Sequence, residues 1–171
     1  MVAARKTIVP RFPREGAGDD PVRALFQLYH RLVTGEDAVA PGVSFLMAVS
    51  PASESSAIER GLPATAWRHL QRAGFSRDEI AAVVGNSTKT IRRKESRAEK
   101  LDVTEGDRTV RLLRITLEAV EAFGDAAKAL AWMRRPNAAL LGKTPLHTIV
   151  TEAGTSLVRR ALGVIAYGGV A

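Results

Sequence analysis

The 171-residue sequence contains no cysteine, which excludes disulfides, thiolate zinc sites and cysteine nucleophiles. It has only three histidines, His30, His69 and His147, which are scattered along the chain, so we expect no metal site and no cofactor. Long apolar runs are also missing. The longest, around residues 43–49, is far short of the ~20 residues that span a bilayer, and no signal-peptide stretch follows the basic N-terminal residues. We therefore expect a cytoplasmic protein with no membrane partner.

The composition is that of a globular protein with a basic excess, at 46% hydrophobic and 25% charged residues and a net charge of +7. The excess is uneven. Residues 1–60 carry equal numbers of basic and acidic side chains, residues 61–114 carry twelve basic and seven acidic, and residues 115–171 carry six and four. The densest basic stretch is residues 89–94. This distribution indicates a local surface for an acidic partner such as nucleic acid.

Apolar spacing predicts an all-α fold. A helix is expected over 21–33, followed by a linker rich in proline, glycine and serine over 41–56. Further on, the pattern predicts a long helix capped by Thr104, with Asp107 in the capping-box position, that runs to about residue 123. The remaining predicted helices cover residues 63–73, 76–84, 88–94, 125–133, 145–150 and 152–167.

A helix-turn-helix is predicted in the middle of the chain. Ser76 and Glu79 form a capping box at the start of its first helix. This first helix also needs a small residue at the point where the second helix crosses it. Ala81 is that residue. Gly85 follows four positions later, where the turn needs a positive φ, and Ile91 lies six positions further on, where the second helix needs an apolar contact. Lys94 departs from the pattern, since many such motifs have another apolar residue there.

The second helix would enter the major groove by its N-terminal end. The candidate contacts to base edges and nearby phosphates are Ser87, Thr88, Lys89 and Thr90, and the candidate backbone clamps are Arg92, Arg93 and Lys94. The alternative is that a helical bundle carries a solvated basic face without binding DNA, because a fold of this kind can keep its shape and lose the activity.

The C-terminal third resembles the toxin-binding domain of Xre-type antitoxins, the partners of RES-domain toxins. The resemblance rests on residues 122–168, AFGDAAKALAWMRRPNAALLGKTPLHTIVTEAGTSLVRRALGVIAYG. Upstream, RGLPATAW, TIRRK and DRTVRLLRI are similar to the helix-turn-helix segment of the same family, so the resemblance covers about residues 60–171. Two positions depart from the family pattern: Leu141, where a second glycine is usual, and Lys89, where an arginine is usual.

The resemblance implies an antitoxin without catalytic activity that binds a cognate RES-domain toxin, occludes its active site and protects the NAD that such toxins degrade. It also implies binding to operator DNA. A homodimer within a larger complex is expected because helix-turn-helix proteins usually read paired half-sites. The expected division is an extension over 1–60, a DNA-binding domain over 61–114 and a toxin-binding domain over 115–171. A stand-alone repressor, and a toxin-binding module whose helix-turn-helix does not bind DNA, remain alternatives.

The candidate toxin contacts are aromatic, cationic or C-terminal residues. An aromatic residue beside arginines is typical of interface hot spots, although a core role for Trp132 is the favoured interpretation. Water is the favoured environment for the two arginines of the last helix, and the thin C-terminal tail is as compatible with a frayed end as with a plug for a partner's cleft. The set comprises Trp132, Arg134, Arg135, Arg159, Arg160, Tyr167, Gly168, Gly169, Val170 and Ala171.

Overall fold

The structure, a computed structural model, describes residues 21–35, 49–166 and 168, and these residues form nine α-helices with no β-strand among them. The all-α prediction is confirmed. The helices, in chain order, are α1 (Pro21–Thr34), α2 (Pro51–Arg60), α3 (Ala66–Arg72), α4 (Arg77–Val84), α5 (Thr88–Ser96), α6 (Val103–Phe123), α7 (Ala126–Met133), α8 (Pro145–Thr148) and α9 (Glu152–Ala166), with a short 3₁₀ turn at Ala138–Leu140.

Helix α6 is the centre of the fold. It is 21 residues long and packs against α1, α2, α4, α7 and α9. Helices surround it, so its apolar residues are buried on more than one face, including Leu112, Leu113 and Ile115. One hydrophobic core therefore extends from Leu25 on α1 to Leu162 on α9. The helix is continuous across residues 114 and 115, so the parts on either side of that position share it.

The start of α6 corrects one prediction. Asp102 caps the helix in place of Thr104: its carboxylate accepts from the Glu105 amide at 2.9 Å, and the Glu105 carboxylate accepts from the Asp102 amide at 2.9 Å. Both residue pairs have the capping-box spacing, and the helix extends to the earlier one. At the other end, Gly124 adopts φ 63°, which ends the helix in the left-handed conformation that glycine accepts readily.

The N-terminal part contains more helix than its composition suggests. Helix α1 lies where its spacing predicts and buries Leu25, Phe26, Tyr29 and Val33. The linker expected over 41–56 is wrong in its second half, because α2 begins at Pro51. The Ser50 hydroxyl caps α2 by accepting from an amide in its first turn at 3.1 Å, and proline is favourable at the first helical position.

A buried polar network attaches α1 and α2 to the central helix. The Tyr29 hydroxyl donates to the Glu54 carboxylate of α2, which also accepts from Arg114 Nη1 of α6 at 2.6 Å. Burial, followed by the hydrogen bond to Glu54, raises the pKa of Tyr29. The tyrosine therefore stays protonated and the carboxylate keeps its partners. No helix of the part described is long and apolar enough to cross a membrane.

Candidate nucleic-acid and partner interfaces

Helices α4 and α5 form the helix-turn-helix that the spacing predicts. The capping box is present: Ser76 Oγ accepts from the Glu79 amide at 3.1 Å, and a Glu79 carboxylate oxygen accepts from the Ser76 amide at 2.7 Å. Ala81 is buried at the crossing, and Ile91 is fully buried beneath the second helix. These contacts fix the angle between the two helices, because a small residue permits their close approach and an apolar residue holds the second helix on the core.

The turn between them requires glycine for two reasons. Gly85 adopts φ 78°, the left-handed region that side chains disfavour. A Cβ at this position would also lie 2.1 Å from Arg108 Nη1, the atom that donates to the Val84 carbonyl at 3.0 Å. The arginine of α6 thus caps the end of α4 over the face of the glycine.

The N-terminal half of α5 presents most of the predicted DNA contacts to solvent. Ser87 caps the helix by accepting from the Thr90 amide at 3.1 Å. Lys89 and Arg92 are exposed, whereas Thr88 and Thr90 are half-buried. Exposed cations near the N-terminal end of a helix form a surface that an anionic backbone fits.

Arg93 and Lys94 differ in their surroundings. Arg93 Nη1 lies 2.6 Å from Glu99 Oε1, and the arginine side chain is 46% exposed, so it stays at the surface. Lys94 Nζ instead donates to both carboxylate oxygens of Glu105 at 2.7 and 2.6 Å, and its side chain is only 14% exposed. The ammonium of Lys94 is therefore less accessible from solvent than the guanidinium of Arg93. Its ammonium points toward α6 because a buried carboxylate there neutralises it.

The same carboxylate is a functional feature that the sequence analysis missed. Glu105 is buried, and besides its capping bond it accepts from Lys94 on α5 and from Asn86 Nδ2 in the turn at 2.6 Å. Glu105 therefore connects the turn and α5, the recognition helix of the motif, to the first turn of α6. The signal in the sequence is the lysine in an apolar position of the motif, which requires a partner.

Glu95 has a similar supporting role on the other side of α5. Its buried carboxylate accepts from Gln71 Nε2 and lies 3.6 Å from Arg77 Nη2 of α4. Its carbonyl accepts from Arg68 Nη2 of α3 at 2.7 Å. These contacts join α3, α4 and α5, so the exposed face of α5 is presented by a supported helix.

In the C-terminal part, the predicted contacts Trp132 and Arg134 are engaged within the chain. Trp132 is half-buried with its ring 5.7 Å from that of Phe123. Arg134 reaches α4: its Nε donates to Glu79 Oε1 at 2.6 Å, and its Nη2 donates to the Gly74 carbonyl at 2.7 Å. This arginine lowers the pKa of Glu79 by hydrogen bonding, so the pair links the C-terminal part to the helix-turn-helix.

The other predicted partner contacts that the structure describes differ in their surroundings. Arg159 Nε donates to Glu118 Oε1 at 3.0 Å, while Arg135 and Arg160 are exposed. Gly168 is exposed with φ 74°. Four predicted tail contacts lie outside the described residues: Tyr167, Gly169, Val170 and Ala171.

A tight loop before α8 presents an apolar side chain that the sequence analysis did not select. Leu141 adopts φ 57° and ψ 37°, and it is 87% exposed. The preceding residue, Leu140, is buried in the core. A leucine in the left-handed region at a solvent-facing position is uncommon, because its Cβ meets the following carbonyl.

Titratable side chains do not converge on a metal site in the described part of the chain, where no group of three or more His, Asp or Glu residues is placed to hold an ion. The described residues instead present an exposed cationic helix face on α5 and, in the C-terminal part, several exposed cations and an exposed leucine. Surfaces of these kinds suit macromolecular partners.

Comparisons with known proteins agree with this organisation. Residues 53–114 match the family model of the antitoxin Xre-like helix-turn-helix domain, and residues 118–168 match that of the antitoxin Xre/MbcA/ParS C-terminal toxin-binding domain. The first match begins inside α2, the helix whose first six residues fall in the expected linker.

Three curated relatives are each named Antitoxin Xre. The relative from Photorhabdus laumondii is 32% identical over 113 residues, covering 65% of this chain and 76% of the relative. The relative from Pseudomonas putida is 36% identical over 80 residues, covering 47% of this chain and 50% of the relative. The relative from Yersinia enterocolitica is 28% identical over 139 residues, covering 70% and 94%.

Proposed function

The chain belongs to the Xre antitoxin family, and we propose that it neutralises a RES-domain, NAD-degrading toxin and represses its own operon by binding operator DNA. The observation that carries the proposal is the occurrence in one helical chain of a supported helix-turn-helix and a family-matched toxin-binding domain around the shared helix α6. In this proposal the chain is not an enzyme, acts in the cytoplasm and divides into an extension over 1–60, a DNA-binding part over 61–114 and a toxin-binding part over 115–171.

DNA binding is proposed to occur through the N-terminal half of α5. Ser87, Thr88 and Thr90 lie at the end of the helix that would enter the major groove. Lys89 and Arg92 are exposed and would neutralise phosphates on either side of it. Arg93 is also exposed, and it would exchange its ion pair with Glu99 for a phosphate. We assign Lys94 a supporting role, because its ammonium is bound to Glu105.

Toxin neutralisation is proposed to occur by occlusion of the toxin's active site by the part matched to the toxin-binding family, which includes α7, α8 and α9. Arg135 and Arg160 are exposed cations of the predicted set, and residues 167–171 are proposed to contact the toxin as well. A homodimer is proposed because helix-turn-helix proteins commonly read two half-sites related by protein symmetry.

The toxin arm of the proposal is tested by purifying the tagged chain together with the product of the adjacent gene. The partner's consumption of NAD is measured in the complex and again after the two proteins have been separated. We expect a stoichiometric complex that leaves NAD intact, and a freed partner that consumes it. A partner that consumes NAD equally well in the complex, or the absence of any complex, would contradict neutralisation.

The DNA arm is tested with the triple variant Lys89→Ala, Arg92→Ala, Arg93→Ala and promoter DNA from upstream of the chain's own gene. The binding constant K is measured at several salt concentrations. The slope of log K against log salt should become less steep by about 0.9 for each phosphate that the variant no longer neutralises. Affinity should fall strongly at low salt, while toxin binding stays unchanged.

A matched control removes the same formal charge from exposed positions outside α5, with Arg23→Ala, Arg60→Ala and Lys128→Ala. This variant should bind promoter DNA nearly as well as the unmodified protein. Equal loss of affinity in both variants would mean that net charge, and not the face of α5, governs binding. Unchanged affinity in the α5 variant would favour a toxin-binding module without DNA recognition.

A further inference from the structure

The most unusual backbone position in the toxin-binding part lies at the tip of the loop between α7 and α8. Leu141 is in the left-handed region and is the most exposed of the large apolar side chains in the described part of the chain, at 87%. The other large apolar side chains that are exposed there belong to Val103, Leu157 and Val164, all on α-helices. Strain that persists at an exposed position requires surrounding structure that over-determines it, and such positions cluster at binding sites.

The loop is held by its own backbone. The Asn137 carbonyl accepts from the amides of Leu140 at 2.9 Å and Gly142 at 3.0 Å, and its amide donates to the Lys143 carbonyl at 3.1 Å. The Asn137 side chain accepts from the Ala139 amide at 2.9 Å. Since Leu140 is buried beside this turn, the next side chain is directed into solvent by a fixed backbone. An ordered apolar side chain loses little conformational freedom when a partner covers it.

The segment of the chain that carries the loop has charged side chains of one sign. The sequence contains no aspartate or glutamate from residue 126 to residue 151, whereas it has four cations in that interval. Arg134 is neutralised by Glu79 of α4, which leaves Lys128, Arg135 and Lys143 exposed. A partner that covers the loop would therefore need an apolar pocket for the leucine side chain and carboxylates at the rim of that pocket for the surrounding cations.

We propose that Leu141 is an apolar anchor for the toxin, inserting into a pocket of the toxin lined by apolar side chains and rimmed by carboxylates. The proposal rests on the proposed antitoxin function. It goes further by naming Leu141 as the main contact between this loop and the toxin. It explains why the loop keeps leucine in a conformation that glycine or asparagine adopts more readily. Anchors of this kind are few in an interface and lie where the partner excludes water.

The test is the variant Leu141→Asn, because asparagine tolerates the left-handed conformation but removes the apolar side chain. Affinity for the purified product of the adjacent gene is measured by titration calorimetry, and the thermal unfolding midpoint of each free variant is measured in parallel. Val103→Asn is the matched control, since Val103 is 59% exposed on α6 outside the toxin-binding part. Leu141→Met tests for rescue by another apolar side chain.

We expect Leu141→Asn to weaken toxin binding at least tenfold, with an unfolding midpoint equal to or above that of the unmodified protein. Val103→Asn should stay within twofold, and Leu141→Met should recover most of the affinity. If the unmodified chain binds the toxin and Leu141→Asn binds within twofold of it, the anchor proposal is overturned while the antitoxin function stands. If the unmodified chain does not bind, the proposed function itself fails and the anchor fails with it.

Discussion

The substitution Glu105→Gln removes the charge that holds the recognition helix against α6. The Glu105 side chain is 5% exposed and accepts from the Asp102 amide, from Asn86 Nδ2 and from Lys94 Nζ. Glutamine has nearly the same shape, but it replaces one acceptor oxygen with a donor and leaves the ammonium without a counter-ion. The variant therefore changes the electrostatics of the contact with little change in packing.

The expected cost follows from the burial of the pair. Breaking a buried ion pair by removing one partner costs about 3–5 kcal/mol, because the remaining charge stays desolvated. Lys94 retains 14% exposure, so its ammonium can turn partly toward water. We therefore expect the free energy of unfolding to fall by ~2–3 kcal/mol, below the range for a fully enclosed pair.

Urea denaturation followed by circular dichroism measures this change. The midpoint should fall by about 1 M for an m-value near 2 kcal/mol/M, with the m-value unchanged. Affinity for promoter DNA should fall as well, because α5 loses its fixed position. The control Glu59→Gln alters an exposed carboxylate of α2 and should change stability by less than ~0.5 kcal/mol.

A double-mutant cycle decides whether the charge pair is the cause. In a Lys94→Met background no ammonium is left unpaired, so Glu105→Gln should cost at least about 1 kcal/mol less than it does alone. Additive effects of the two substitutions, or a loss of under ~0.5 kcal/mol for Glu105→Gln by itself, would refute the role assigned to this carboxylate.

Two further predictions concern the turn and the link between the two parts. Gly85→Ala places a Cβ 2.1 Å from Arg108 Nη1 at a φ of 78°, so we expect a loss of ~1–3 kcal/mol in thermal unfolding, whereas Gly163→Ala, where a Cβ meets nothing, should be neutral or stabilising. The pKa of Glu79 is lowered by Arg134 in the folded state, so the stability from this pair is present above the ordinary carboxyl pKa of 4.5 and is lost as the pH falls through the lowered value. In the variant Glu79→Gln, the free energy of unfolding should therefore fall less steeply as the pH drops below about 4.5 than it does in the unmodified protein. The same dependence on pH in the two proteins would contradict the role assigned to the Glu79–Arg134 pair.

The helix-turn-helix could be predicted because its determinants are local. The capping box joins residues three positions apart, and the left-handed Gly85 ends the same helix. Each feature depends on residues within about one turn of it, and both are present as the spacing predicts. Local signals also explain the errors. Asp102 and Thr104 each stand three residues before an acidic side chain, and in the folded chain Asp102 and Glu105 form the capping box. In the same way, a segment containing serine and proline looks like a linker when the α2 core contacts are not known.

The amino-acid sequence by itself determined the all-α class and the position of the helix-turn-helix, because periodicity, caps and glycine turns are encoded in neighbouring residues. It also identified the family, through its resemblance to the domains of Xre antitoxins. Tertiary structure alone decided which charges are available to a partner. Lys94 and Arg134 look equivalent to Arg92 and Arg135 in sequence, yet the first two are neutralised by carboxylates 11 and 55 residues away. It also decided that one leucine points into solvent. Burial and ion pairing depend on which helices meet, and that depends on the packing of the whole chain around α6.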